Sequence, residues 1–204
     1  MTGSTRWAYA VLLLTACPPP PEPEAHEPGP PRVAAADRGS IVELSGAPRD
    51  PLAGASEGPT VLLFVATDCP IANRYAPTMQ ALSQAWAERG VTTWLVYPDP
   101  DDDPEAIGIH QAAYALTLPT VRDPKHVLVD QAGARVTPEA AVFPPGTATP
   151  AYVGRIDDRV AELGKVRAEA SSHELREAVD AVLAGRPPAP AKGPAIGCYI
   201  SDLR

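Results

Sequence analysis

Residues 60–77 read TVLLFVATDCPIANRYAP. The first seven, Thr60 to Ala66, form an unbroken apolar run, the pattern of a strand buried on both faces. The run stops at Thr67-Asp68-Cys69-Pro70, and Met79, Leu82, Ala85 and Trp86 then recur at helical spacing as far as Gly90. A strand with two buried faces that feeds a helix belongs to an α/β layered domain with some parallel pairing. Cys69 falls at the junction of the two elements. There the unpaired amides and the positive end of the helix dipole favour a thiolate over a thiol, the state a sulfur nucleophile needs. A buried structural cysteine is the alternative reading of the same position.

Outward from this stretch, strands and helices continue to alternate. Val91 to Tyr97 is the next strand. Asp103-Pro104-Glu105 supplies an N-cap, a proline at the first helical position and an acidic first turn for a helix reaching about Leu116. Pro124 to Ala132 reads as a shorter helix that Gly133 ends, and Ile41 to Leu44 as a short opening strand. Ala140 to Phe143 and Tyr152 to Ile156 read as two later strands. Ser171-Ser-His-Glu174 has capping-box spacing for a helix from Glu174 to Leu183, which Gly185 and Pro187 stop. The expected fold is a central mixed sheet flanked by helices, without internal repeats.

The chain has 204 residues, 45% of them hydrophobic, enough for one compact domain with a sizeable core. Its 26 prolines are too many for helix and strand interiors. Eight lie between Pro18 and Pro31 and four between Pro187 and Pro194, so the domain is bounded at residues 33–186. A Pro-rich tail at 187–204 carries Cys198 and can swing across the domain. At the other end, residues 1–16 place Arg6 ahead of the apolar run Trp7 to Leu14. That run is too short to cross a bilayer core, which takes about 20 residues. The pattern is that of a secretory signal peptide. Leu14-Thr15-Ala16-Cys17 resembles a bacterial lipobox, in which the cysteine is acylated and becomes the new N-terminus. A plain export signal with a free thiol is the alternative. Residues 17–32 then form a semi-rigid tether of about 3 Å per residue. The expected location is a bacterial membrane, with the domain held by a lipid anchor and facing the periplasm or the cell exterior. A formal net charge of −8 excludes a nucleic-acid surface, and three cysteines exclude a disulfide scaffold or a four-cysteine zinc site.

TDCPIANRYAP resembles the active-site turn of the redoxins, the thioredoxin-like and peroxiredoxin-like proteins of the AhpC/TSA type. Pro77 is similar in position to the helix-kinking proline of thioredoxins, and Leu118 to Pro124 to the segment that leads into a short helix. Val136-Thr137-Pro138 resembles the loop whose cis proline faces the nucleophile. Tyr152 to Asp158 and the terminal Gly197-Cys198-Tyr199-Ile200 resemble an exported lipoprotein subfamily. The resemblance spans roughly residues 36–200 and implies a thioredoxin-like fold. It implies Cys69 as nucleophile and Cys198 as resolving thiol, with Thr137, Pro138, Asp68 and Asn73 as substrate-binding residues and no cofactor. A disulfide or peroxide is the implied substrate, with a separate electron donor. Two departures narrow this. Ala72 stands where thioredoxins carry a second cysteine, so local dithiol exchange is impossible. Ala66 stands where peroxiredoxins carry a threonine, and Arg74, Arg122 and Arg155 are all candidates for a peroxide-orienting arginine.

Other charged residues read more plainly. Asp99 to Glu105 looks like a calcium loop, but Pro104 and His110 occupy its glycine and glutamate positions, leaving a solvated acidic turn. His110, His126 and His173 stand singly, and Asp157-Asp158-Arg159 reads as an exposed charge network. Tyr75 is expected to pack rather than to touch substrate. Two further functions remain: a non-catalytic redoxin-fold binding module, and a copper or other metal carrier using Cys69, Cys198 and a histidine.

Overall fold

The computed structural model describes residues 37–53 and 57–201. The signal peptide, Cys17 and the tether lie outside the described residues. Strand β1 (Thr60–Phe64) is the middle strand of a five-stranded sheet of order β3-β2-β1-β5-β6. It runs parallel to β2 (Thr92–Tyr97) on one side and antiparallel to β5 (Glu139–Phe143) on the other. Strand β3 (Thr120–Arg122) pairs parallel to β2, and β6 (Tyr152–Gly154) pairs antiparallel to β5. The central place of β1 accounts for its unbroken apolar run.

Successive side chains of a strand point to opposite faces, so β1 divides the core in two. Val61 and Leu63 meet helix α1 (Pro70–Ala87) through Met79, Leu82 and Trp86, and helix α4 (Glu174–Leu183) through Leu175 and Val179. Ile107 of helix α2 (Pro104–Tyr114) joins the same cluster. Leu62 and Phe64 meet α3 (Val127–Ala132) on the other face through Val127, Leu128 and Val129, with Ile41 and Ile200. Each fully buried aliphatic side chain contributes about 1.5–3 kcal/mol, so two filled faces carry most of the stability.

Several expectations are corrected. Ile41 to Leu44 is not a strand; Val42 makes only isolated bridges to Pro48 and Arg122 after a 3-10 turn at Asp37–Ser40. The segment before α3 contains β3, and the later strand stops at Gly154 rather than Ile156. A hairpin of β7 (Val160–Glu162) and β8 (Lys165–Val166) follows, with no clear apolar alternation to announce it. Asp157 and Asp158 are each 6% exposed, not a solvated network. Asp157 Oδ1 accepts from the Tyr75 hydroxyl at 2.5 Å and from the Arg159 amide, while the Arg159 guanidinium lies over the Tyr75 ring. Asp158 displaces the capping box. Its carboxylate accepts from the amides of Ser171 (2.7 Å) and Ser172 (3.0 Å) and from the Ser171 hydroxyl and Arg167. These bonds, the Ser171 hydroxyl first, hold its pKa far below the usual carboxylate range. The cap residue of α4 is then His173, with no side-chain cap bond.

The tail is docked on the domain. Strand β9 (Cys198–Tyr199) pairs antiparallel with β4 (Val136–Thr137), and Ile200 donates its amide to Arg135 and is buried in the second core cluster.

Helix α3 begins without a helical cap residue, because His126 stands at φ 58° and makes no side-chain cap bond. Its first amides go instead to the fully buried carboxylate of Asp123, from Val127 and Leu128 at 2.8 Å and Val129 at 3.1 Å. Burial pushes the Asp123 pKa up to about 7 against the pull of those three bonds. Asp123→Ala orphans the three donors and is expected to lower the unfolding free energy by about 2–4 kcal/mol, read from urea denaturation.

Candidate functional site

Parallel strands end at the same edge of a sheet, so the loops after β1 and β2 meet there. Cys69 sits in the first of them as the N-cap of α1, with φ −81° and ψ 105° and Pro70 as the first helical residue. Its Sγ accepts from the Ala72 amide at 3.4 Å, taking the place of the usual capping oxygen, and the thiol donates to the Thr137 carbonyl at 2.9 Å. The side chain is fully buried. Pro77 lies inside α1, where its missing N–H leaves the Asn73 carbonyl without the helical donor four residues on.

Thr137–Pro138 is a cis peptide bond between β4 and β5. The Thr137 hydroxyl is buried and has no hydrogen-bond partner. Strand β9 brings Cys198 directly opposite Thr137, whose carbonyl accepts from the Cys69 thiol, so both cysteines meet at that residue. Gly197 makes this possible, because a Cβ there would lie 2.1 Å from the Thr137 carbonyl oxygen. No other residue allows the tail to approach the proline loop so closely. The two thiols are free in this state.

The pair is electrostatically unequal. Burial pushes the Cys69 thiol up, but hydrogen bonds with Thr137, with the Cys198 thiol and with the amides of Ala72 and Cys198 outweigh it, and its pKa is lowered. Cys198 is pushed up to about 12, first by burial, then by donating to Cys69 and by the negative charges of Cys69 and Asp68. Of the two sulfurs, Cys69 gives up its proton more readily and Cys198 holds its own more tightly.

Behind the turn lies a clamp that sequence reading missed. The buried Asp102 accepts from the Thr67 amide at 3.2 Å and from the Thr67 hydroxyl. Burial raises the Asp102 pKa, the two Thr67 bonds lower it, and the charges of Asp99 and Asp68 raise it further, with a net rise. Asn73 donates from Nδ2 to the Thr67 carbonyl at 3.3 Å, and its Oδ1 meets His110 Nε2 at 2.7 Å. His110 Nδ1 meets the Tyr97 hydroxyl at 2.9 Å. Since Asn73 Oδ1 can only accept, His110 is protonated on Nε2 and neutral, in keeping with a pKa that burial lowers. Asp99 to Glu105 is thus not simply a solvated acidic turn, and His110 does not stand alone. The order β1-β2 was the available signal, because it brings Asp102 and Thr67 to one edge.

The structure brings Cys69, Cys198, Thr137 and Pro138 together. Asp68 is exposed, and Asn73 faces the clamp with both ends of its amide engaged. Of the three candidate arginines, Arg122 is bound to the carbonyls of Asp102 and Pro100, Arg155 is paired with Glu174, and Arg74 is exposed. None is among the groups that shift Cys69. Among the described residues no cluster of three or more histidines, cysteines or carboxylates could hold a metal, so Cys69 and Cys198 have no third ligand.

A family model described as AhpC/TSA family matches residues 49–153, which contain Cys69 and the five-stranded sheet except Gly154 at its last end, but not Cys198. Among solved structures, the chain is similar to a hypothetical protein from Sinorhizobium meliloti 1021, with 21% identity over 78% of this chain and 88% of that one, TM-score 0.67. It is also similar to an uncharacterized conserved protein from Geobacillus kaustophilus, with 21% identity over 78% and 86%, TM-score 0.62. MTB dsbF aligns with 22% identity over 74% of this chain and 99% of that one, TM-score 0.53. No curated protein matches the chain. At these identities the likenesses show the fold, which is thioredoxin-like.

In a chain whose Cys17 is replaced by alanine, thiolate absorbance is expected to rise in two steps. The first falls below the ordinary cysteine range and the second near 12. Cys198→Ala removes the upper step and moves the lower one up. Gly197→Ala is expected to lift β9 from the proline loop and to speed alkylation of Cys69 severalfold, read by peptide mass spectrometry.

Proposed function

The chain belongs to the AhpC/TSA family, and from that premise we propose that it is a membrane-anchored, extracytoplasmic thiol–disulfide oxidoreductase cycling between a Cys69/Cys198 dithiol and a disulfide. The observation that carries this reading is that β9 sets Cys198 opposite Thr137, the residue whose carbonyl accepts from the Cys69 thiol, with Cys69 the more acidic sulfur of the two. Catalysis begins when the tail lifts and the Cys69 thiolate attacks a substrate disulfide, forming a mixed disulfide and releasing one substrate thiolate. With its charge gone, Cys69 no longer holds the proton on Cys198. Cys198 then deprotonates and attacks the Cys69 sulfur, the second substrate thiolate leaves, and a 69–198 disulfide remains. The Thr137 hydroxyl and the Ala72 and Cys198 amides stabilise the Cys69 anion at the start of the cycle and again when it is a leaving group. Commitment of Arg122 and Arg155 to other partners favours disulfides over peroxides as oxidant.

Disulfide bonds persist in extracytoplasmic compartments, where a couple of this kind has work to do. The signal-like residues 1–16 and the lipobox ending in Cys17 support export and acylation, and the Pro-rich stretch that follows supports a spacer. We assign the anchor to Cys17 on the strength of the lipobox, and no helix among the described residues is long and apolar enough to cross a membrane.

Treating the reduced chain with a model disulfide is expected to yield a 69–198 linked peptide. Cys69→Ser and Cys198→Ser each abolish turnover, and Cys198→Ser accumulates the mixed disulfide on Cys69. A chain in which Cys69 stays reduced under these conditions is a binding module and not an enzyme. For the anchor, Cys17→Ser is expected to move the protein from the membrane to the soluble fraction of a bacterial host.

A further inference from the structure

The first turn of α1 carries Cys69 and is one backbone bond short. Pro77 has no N–H, so nothing in the helical ladder reaches the Asn73 carbonyl, and the head of the helix is tied less firmly to its body. That turn is braced from outside the ladder. Asn73 reaches back on both sides of Asp68: its backbone amide donates to the Cys69 carbonyl at 3.0 Å, and its Nδ2 donates to the Thr67 carbonyl at 3.3 Å. One residue thus holds the backbone just ahead of the sulfur and at it.

Asn73 is itself held from another helix, through His110 of α2. The Thr67 carbonyl decides every proton in this line. A carbonyl only accepts, so the Asn73 Nδ2 faces it. Oδ1 then faces His110 Nε2 at 2.7 Å and requires a proton there, which leaves Nδ1 to accept from the Tyr97 hydroxyl at 2.9 Å. Each donor in the line points towards Thr67. Around the ring stand the Tyr97 hydroxyl from β2, the Asn73 amide from α1 and the Tyr114 ring of its own helix. The charge that acts on it is that of Asp102, in the turn ahead of α2. His110 is only 6% exposed, so its orientation is set by these neighbours and not by solvent. Without the His110 donor the Asn73 amide is free to turn, and the brace on Thr67 goes with it.

We infer that His110 is a positioning residue for Cys69: by fixing Asn73 across the head of α1, it keeps the sulfur in line with the Ala72 amide. A hydrogen bond weakens steeply with angle, so a first turn free to rotate loses that contact. The Ala72 amide is one of the groups that lower the Cys69 pKa, and a turn that loses it holds a less acidic thiol. That the acidity serves attack on a disulfide rests on the oxidoreductase reading above; the brace itself does not.

The test reads Cys69 as the lower step of thiolate absorbance in the full chain with Cys17 replaced by alanine. His110→Leu and Asn73→Ala are each expected to raise the midpoint of that step by about one pH unit, about a tenfold loss of thiolate at any pH below it. The two substitutions together shift it no further than either alone, because they break the same line of bonds. His110→Gln carries an amide N–H close to the place of Nε2 and returns the midpoint to that of the unsubstituted chain. Asp123→Ala, which weakens the fold at α3 on the other face of the sheet, leaves the midpoint in place, so lost stability alone does not produce the shift. Urea denaturation identifies the variants that fold. A midpoint unmoved in folded His110→Leu and Asn73→Ala chains overturns the inference. So does a His110→Gln shift as large as that of His110→Leu, since the donor is then not what counts. If His110→Leu does not fold, Asn73→Ala decides alone. A chain that forms the 69–198 disulfide with a model disulfide but shows no shift loses this inference and keeps the oxidoreductase reading. One that shows the shift and forms no such disulfide keeps the brace and loses that reading.

Discussion

A helix needs an acceptor for the amides of its first turn, and at the head of α1 that acceptor is a sulfur. The requirement ties stability to chemistry. A neutral thiol is a poor acceptor for the Ala72 amide, whereas a thiolate satisfies both the amide and the positive end of the helix dipole. The anion therefore improves the fold locally at the point where β1 ends. Everything around it serves that atom: β1 delivers it, the Thr137 carbonyl and hydroxyl face it, and β9 sets Cys198 opposite Thr137.

The clamp behind the turn shows how a rigid site is built from a flexible tripeptide. Thr67 has its amide, hydroxyl and carbonyl all engaged, by Asp102 on one side and Asn73 on the other. His110 fixes Asn73, and Tyr97 fixes His110. The chain links the ends of β1 and β2 to α1 and α2 without touching the sulfur. Its members are positioning residues, and their arrangement depends on His110 remaining neutral, as burial makes it.

Local signals in the sequence carried the central facts. The apolar run at Thr60–Phe64, the Asp103 cap with Pro104, and Cys69 at a strand–helix junction are all read from near neighbours, and each lies where it was expected. What sequence reading missed is non-local. Asp102 looked solvated because its partner Thr67 is distant in the chain, and Asp158 looked exposed because its donors, Ser171 and Ser172, arrive after an unannounced hairpin. Ser171 then could not form its expected capping box with Glu174, since its hydroxyl is held by the carboxylate of Asp158. The tail's docking was hidden for a similar reason. Proline-rich composition describes residues 187–194 well, yet says nothing of the short segment beyond, where Gly197 permits contact and Ile200 supplies an apolar anchor.

The placement of Cys198 on a terminal strand has a genetic corollary. The family match ends before it, and the five-stranded sheet is complete without it. The second sulfur thus sits on a proline-rich leash outside the main sheet, and its removal would take Ile200 from one core cluster and Ala191 and Ile196 from the edge of the other. One premature stop within the leash would therefore remove the sulfur opposite Thr137 and uncover the loop of the cis proline, while every strand of the main sheet stayed in place.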